Sequence, residues 1–110
     1  FVILVPLEHA LDAPLHDLEE QAAASLAEAT LLAGEHDVQV EPLTVRARSI
    51  GRAIVEQAVE HEADLIVLGS SPRWRRQSAF FSPTVDFVLR TAPCEVLVVA
   101  FPQGVLEDVV

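Results

Sequence analysis

The stretch Ala63-Asp64-Leu65-Ile66-Val67-Leu68-Gly69 decides the fold of this chain. Its apolar run has no polar alternation, which is typical of a strand covered on both faces, and Gly69 predicts a turn at its end. Further on, Ser82-Pro83 predicts the start of a helix, and Val96-Leu97-Val98-Val99 predicts another strand. A strand, helix, strand series builds a parallel sheet, and the carboxyl edge of such a sheet is where ligands bind.

The preceding residues repeat the same alternation. Strands are predicted at residues 1–7 and 38–45, with Pro42 indicating a sheet edge. Helices are predicted after Asp17, which could cap its helix together with Glu20, and after Ser49, with Ile50, Ala53, Ile54, Ala58 and Val59 facing inward. We therefore predict an α/β fold with three layers, an open parallel sheet bearing helices on both faces. Residues 1–101 are expected to form one domain and residues 102–110 a C-terminal tail.

The composition excludes several classes of protein. The chain has 110 residues, half of them apolar, and a formal charge of -10, which disfavours nucleic acid as a partner because phosphate binding needs a basic face. The single cysteine, Cys94, cannot form an internal disulfide, and a buried packing role is expected for it. Because neither a signal peptide nor a membrane-spanning run is visible, we expect a cytoplasmic location. The four histidines show no metal-ligand spacing, so a metal site is not predicted. A nucleophile elbow and paired carboxylates are both absent from the sequence. Catalytic residues are therefore not predicted, and the chain is not expected to be an enzyme.

The positive charge is concentrated in two places. The chain has no lysine, and six of its seven arginines form two groups, one at positions 46, 48 and 52 and one at positions 73, 75 and 76. Each group follows a predicted strand, so both are expected at the carboxyl edge of the sheet, where they could bind a phosphate or carboxylate. The predicted anion or nucleotide site consists of Arg46, Arg48, Gly69, Ser70, Ser71, Arg73, Arg75, Ser82 and Thr84. The alternative is that these arginines are solvated loop charges or pair with nearby acids.

Two apolar features indicate contacts with a partner. An open apolar edge invites pairing with another edge, so we predict a homodimer through Val96, Leu97, Val98, Val99 and Ala100, unless the tail after Pro102 covers that strand. Trp74, Phe80 and Phe81 lie in the arginine-rich loop. Either the two phenylalanines fold back onto the core while Trp74 lies on the surface, or the rings stack on a base, cover the open crevice at the carboxyl edge of the sheet, or dock on a partner.

Several of these segments together resemble the universal stress protein family. The resemblance is carried by residues 63–69, by Val88-Leu89-Arg90-Thr91-Ala92-Pro93-Cys94, by residues 96–99, and upstream by the stretch from Val45 to Ile54. It implies a Rossmann-like fold of the adenine nucleotide alpha hydrolase type. The loop at residues 71–78 and residues 81–86 resemble the variant attached to the cytoplasmic end of bacterial amino-acid permeases, which implies a role in amino-acid transport.

The chain departs from the family pattern at its start. Residues 1–7 correspond to the family's second strand, so the first strand and helix are missing. The family order across the sheet is 3-2-1-4-5, so the strands that remain are expected to form two pairs separated by a gap. That gap could be filled by a segment of a partner chain or by residues of the native protein absent from this chain. The other alternative is a slipped arrangement in which the second strand lies beside the fourth.

The nucleotide motif of the family is also incomplete. Nucleotide-binding members resemble one another in the pattern glycine, two residues, glycine, nine residues, glycine-serine, whose positions here are Gly69, Pro72, Ser82 and Pro83. Proline has no amide donor, so ATP and AMP are disfavoured as ligands and no cofactor is assigned. The resemblance implies a non-catalytic regulatory or ligand-sensing domain associated with the stress response. The alternatives are a nucleotide-binding or hydrolysing protein and a purely structural dimerisation module.

Overall fold

The computed structural model describes residues 1–70 and 82–100, without the side chains of Ser70 and Ala100. Within these ranges helices and strands alternate in the predicted order, which confirms the predicted α/β class. The elements are β1 (Val2–Leu4), α1 (His16–Glu35), β2 (Val45–Ala47), α2 (Ile50–Glu60), β3 (Leu65–Ser70), α3 (Pro83–Thr91) and β4 (Glu95–Ala100).

The strands form two separate parallel pairs. β1 pairs with β2, with Ile3 opposite Arg46, and β3 pairs with β4, with Val67 opposite Leu97. Two separate pairs are the arrangement expected when the first strand, which lies between them in the family order, is missing. The chain accordingly divides into two compact units, Phe1–Ile50 and Gly51–Val110, called unit 1 and unit 2 below. The predicted boundary between domain and tail lies outside the described residues.

Unit 1 is built on one face of β1. Ile3 and Val5 are almost fully buried and pack with Ala22 of α1, while Leu15 and Leu18 cover the edge of this cluster. The helix begins at His16, and the residue before it, Leu15, makes no side-chain capping bond. The predicted cap at Asp17 is therefore wrong, because Asp17 already lies inside the first turn, where its charge complements the positive end of the helix.

The second strand is shorter than predicted. The ladder begins only at Val45, whose amide donates to the carbonyl of Phe1 at 2.9 Å, and residues 38–44 form neither helix nor strand. Pro42 in this segment cannot donate a ladder hydrogen bond. The strand also ends two residues later than predicted, at Ala47, so Arg46 lies within β2 and only Arg48 follows the strand.

Unit 2 packs both of its described helices against β3 and β4. The centre of its core contains Val88 of α3, which is fully buried, with Ala58 of α2 and Ile66 of β3. Cys94 is a half-buried free thiol packed against this cluster, in agreement with the expected packing role. The predicted inward face of α2 is confirmed at Ala53 and Ala58 but is wrong at Val59, which is 60% exposed.

The strands of unit 2 are covered on one face only. Leu65 and Val67 of β3 are 49% and 58% exposed, and Leu97 of β4 is 51% exposed. The prediction of a strand buried on both faces is therefore wrong in the described structure. An apolar run without alternation is typical of a strand covered on both faces, but among the described residues only one face of β3 is covered. None of the helices in residues 1–70 and 82–100 combines the length and apolarity needed to cross a bilayer.

Candidate functional site

The predicted site residues fall into two groups. Arg46 and Arg48 lie in unit 1, and Gly69, Ser70, Ser82 and Thr84 lie in unit 2. Ser71, Arg73 and Arg75 lie outside the described residues, as do Trp74, Phe80 and Phe81. The two described groups have different local surroundings.

Arg46 uses all three of its guanidinium nitrogens inside unit 1. Its Nε donates to the carbonyl of Leu11 at 2.8 Å, its Nη1 to Oε1 of Glu19 at 2.8 Å, and its Nη2 to the carbonyl of Ala13. The side chain is only 24% exposed, so these bonds form in a partly desolvated place where a charge-assisted hydrogen bond is strong. Arg46 thereby ties the loop before α1, and α1 itself, to β2.

Arg48 holds the earlier part of the same loop. Its Nη1 donates to the carbonyl of Pro6 at 2.7 Å and of Val5 at 3.3 Å, and its Nη2 donates to the carbonyl of His9 at 2.9 Å. Residues two apart on an extended chain project to the same side, which explains why Arg46 and Arg48 reach one loop. An anion at this place would have to compete with backbone carbonyls, and an anion-binding role for the two arginines stays a prediction.

The loop contacts are a function of these arginines that the sequence reasoning missed. The available signal was the length of the segment between β1 and α1, in which a run of carbonyl groups from residues 5–13 has no strand or helix to pair with. Guanidinium groups, with five donors each, are suited to such a run.

In unit 2 the amino end of α3 is closed by its own residues. Ser82 is the N-cap, and its hydroxyl oxygen accepts a hydrogen bond from the amide of Val85 at 3.2 Å. Pro83 occupies the first helical position and has no amide hydrogen. Asp86 places a carboxylate in the first turn, where it pairs with Arg90 at 2.7 Å. The predicted helix start at Ser82-Pro83 is confirmed.

The remaining candidates of unit 2 lie at the end of β3 and in α3. Gly69 pairs with Val99 and Ser70 with Ala100, so both residues belong to the ladder, and the turn predicted at Gly69 is wrong by at least one residue. Thr84 is half-buried in the first turn of α3. The loop that would complete this group lies outside the described residues.

The strand predicted to form a dimer alternates along its length. Val96 and Val98 are half-buried on the covered face, whereas Leu97 and Val99 are 51% and 38% exposed on the other. One edge of β4 pairs with β3. A homodimer through β4 stays a prediction, and the alternative cover, the tail, lies outside the described residues.

Away from the predicted residues, unit 1 carries two adjoining shallow cavities between the C-terminal half of α1 and residues 38–42. Sequence reasoning missed them because it predicted a strand at residues 38–45, where the structure has neither helix nor strand before Val45. We call them together the α1 groove, which is lined by Leu26, Ala27, Thr30, Leu31, Gly34, Val38, Gln39, Val40, Glu41 and Pro42. In the part of the chain that the structure describes, no three side chains of His, Cys, Asp or Glu come together as metal ligands would.

Comparison with known proteins gives one family. The sequence model of the universal stress protein family matches residues 3–100, from within β1 to the end of β4. A separate search of the curated proteins found no match.

Proposed function

Because the chain belongs to the universal stress protein family, we propose that it is a non-catalytic regulatory domain of that family which does not bind ATP in the family's usual manner. Its location would be the cytoplasm. Binding of a ligand other than ATP at the carboxyl end of β3, or association of two chains, would change the state of the protein it acts on.

The amino end of α3 carries this proposal. A phosphate bound at a helix terminus needs the first amide hydrogens of the helix and the positive end of its dipole. Here the first of those amides is absent at Pro83, and the third donates to Ser82. The carboxylate of Asp86 in the first turn already complements the dipole and would repel a phosphate. Of the first three helical residues, that leaves the backbone amide of Thr84 for a phosphate.

The sequence supports the same conclusion at the other motif positions. In nucleotide-binding relatives the motif has glycines where this chain has Pro72 and Ser82, and serine where it has Pro83. Glycine lets the backbone approach a phosphate closely, whereas proline fixes its own backbone angle and donates nothing. Gly69 is the motif position that retains its glycine.

The test is titration calorimetry of the chain with ATP and AMP, beside a variant in which Pro72→Gly, Ser82→Gly and Pro83→Ser restore the motif. We expect no heat from the natural chain at nucleotide concentrations up to about 1 mM, and at least tenfold tighter binding by the restored variant, which corresponds to about 1.4 kcal/mol. Tight ATP binding by the natural chain would contradict the proposal. So would release of phosphate from ATP that an Arg73→Ala change abolishes, because that result indicates a hydrolase.

The sensing part of the proposal has its own experiment. The same calorimetry with cyclic dinucleotides and with simple anions, phosphate and acetate, should give heat with at least one of them. If none binds, ligand sensing is excluded and a purely structural regulatory role remains.

We further propose that two chains associate through β4. The exposed side chains of Leu97 and Val99 support it, because two chains paired along β4 can also bury these apolar side chains against each other. Sedimentation should show a dimer that Leu97→Glu converts to a monomer, while Val59→Glu, at an exposed position of α2, leaves it intact. A monomeric natural chain would refute this association.

The protein acted on is proposed to be an amino-acid transporter, because residues 71–78 and 81–86 resemble the permease-attached variant of the family. The rate of amino-acid transport by a permease that carries this domain should differ from the rate of the same permease without it. Equal rates under both conditions would exclude the transporter.

A further inference from the structure

The α1 groove is a surface of unit 1 that the proposed function does not use, with one apolar cavity and one cavity of mixed polarity. Its first cavity has a volume of about 430 Å³ and is lined by Leu26, Leu31 and Pro42, among others. The second has a volume of about 540 Å³ and is lined by the 38–41 segment and Gly34. Thr30 lines both cavities, so they form one continuous surface along the helix.

The apolar side chains of the groove are unusually exposed. Leu31 is 69% exposed, Val38 is 55% exposed and Val40 is 43% exposed. Burying such side chains removes apolar surface from water and stabilises a complex, which makes the groove a candidate interaction site. The exposure has a local cause: the ladder of β2 begins only at Val45, so Val38 and Val40 are not drawn into the sheet.

The charge around the groove selects the chemistry of a partner. Residues 1–45 contain nine acids and neither lysine nor arginine. Glu41 lines the second cavity. Glu28 and Glu35, seven residues and therefore two turns apart on one side of α1, are both exposed. Glu41 and the excess of acids in unit 1 would repel an acidic or phosphorylated partner and attract lysine or arginine side chains.

We propose that the α1 groove binds a basic segment of a partner protein, whose apolar side chains enter the two cavities while its lysine or arginine side chains are attracted by Glu41 and by the excess negative charge of unit 1. Residues of the nucleotide motif and of β4 take no part in this surface, so the proposal and the proposed function can fail independently.

The test uses three synthetic octapeptides in fluorescence anisotropy against the whole chain. One alternates leucine with lysine, the second alternates leucine with glutamate, and the third alternates serine with lysine. The first should bind with a dissociation constant below about 100 μM. The second and third should each bind at least about tenfold more weakly, because each lacks one of the two features that the groove selects.

Two neighbouring leucines supply a matched pair of variants. Leu31→Gln removes an apolar side chain of the groove and should weaken binding of the leucine-lysine peptide about tenfold. Leu32→Gln changes the next residue, which is 56% exposed but does not line the groove, and should leave binding unchanged. Since both side chains are exposed, both variants should fold, and circular dichroism verifies that they do.

A second pair tests the charge. Glu41→Gln should weaken binding about threefold and reduce its dependence on salt, whereas Glu56→Gln, on α2 of unit 2, should change neither. Binding of the leucine-glutamate peptide as tight as that of its basic counterpart, equal losses in the two leucine variants, or no binding of the basic peptide would each overturn the proposal.

Discussion

Gly51 and Gly34 should respond in opposite directions to the same substitution by alanine. Gly51 is the second residue of α2 and is buried, and a Cβ atom built on it would lie 2.9 Å from Cδ1 and 3.3 Å from Cγ of Phe87. Gly34 lies near the end of α1, and a Cβ atom there would meet nothing within 4 Å. Both residues are helical, so the change in helix propensity has the same sign at both positions, and packing makes the difference.

The magnitude follows from two opposing terms. Alanine is favoured over glycine inside a helix by about 0.5–1 kcal/mol. Carbon atoms pack best at about 3.5–4.0 Å, so the new methyl group at Gly51 must displace the ring of Phe87, and such overpacking costs about 1–3 kcal/mol. We expect Gly51→Ala to lower the free energy of unfolding by about 1 kcal/mol, and Gly34→Ala to raise it by about 0.5 kcal/mol.

The assay is urea unfolding followed by circular dichroism at 222 nm, with the thermal midpoint as a second measure. A loss of 1 kcal/mol should lower that midpoint by about 4–8 °C. In a Phe87→Leu background, which removes the ring, Gly51→Ala should become neutral or stabilising, and the difference between the two backgrounds measures the contact. If Gly51→Ala stabilises the natural chain, or destabilises it equally in both backgrounds, the reasoning from packing is refuted.

Three further predictions use the same unfolding measurement. Arg46→Met should lower the free energy of unfolding by about 2 kcal/mol, because it leaves loop carbonyls and Glu19 without their donor. Arg90→Met removes an exposed ion pair and should lower it by at most about 0.5 kcal/mol. Equal losses in the two variants would mean that the loop contacts contribute nothing. Ser82→Ala should cost about 1 kcal/mol through loss of the helix cap, and an unchanged midpoint would contradict the cap. Val88→Ala, at a fully buried position, should cost about 2 kcal/mol, and Val59→Ala, at an exposed one, less than about 0.5 kcal/mol; the reverse order would contradict the assigned burial.

The sequence predicts the elements of this fold well because the signals for them are local. The apolar run at Leu65–Leu68, the Ser82-Pro83 pair and the spacing of Ala53 and Ala58 each depend on residues within one or two turns of one another. The division into two strand pairs was also predictable, because it follows from which member of the family order is missing.

What the sequence could not predict depends on distant partners. Whether residues 38–44 join a ladder depends on the other strand, and Pro42 disfavours the bond that the alternation of Val38 and Val40 favours. The positions of Arg46 and Arg48 depend on carbonyl groups 33–43 residues away in the chain. Since every residue carries a carbonyl, the sequence does not mark which ones a guanidinium group will bind.

The charge distribution links the arginines of unit 1 to the binding proposed for its groove. Unit 1 contains two arginines, Arg46 and Arg48, against nine acids, and both arginines donate to groups of their own unit. The long-range field of this unit is therefore negative, which opposes a phosphate at the arginines and favours a basic peptide at the groove. The two kinds of binding then depend on salt in opposite ways. Added salt should weaken the leucine-lysine peptide, because it screens an attraction, but should not weaken an anion that must approach against a repulsion.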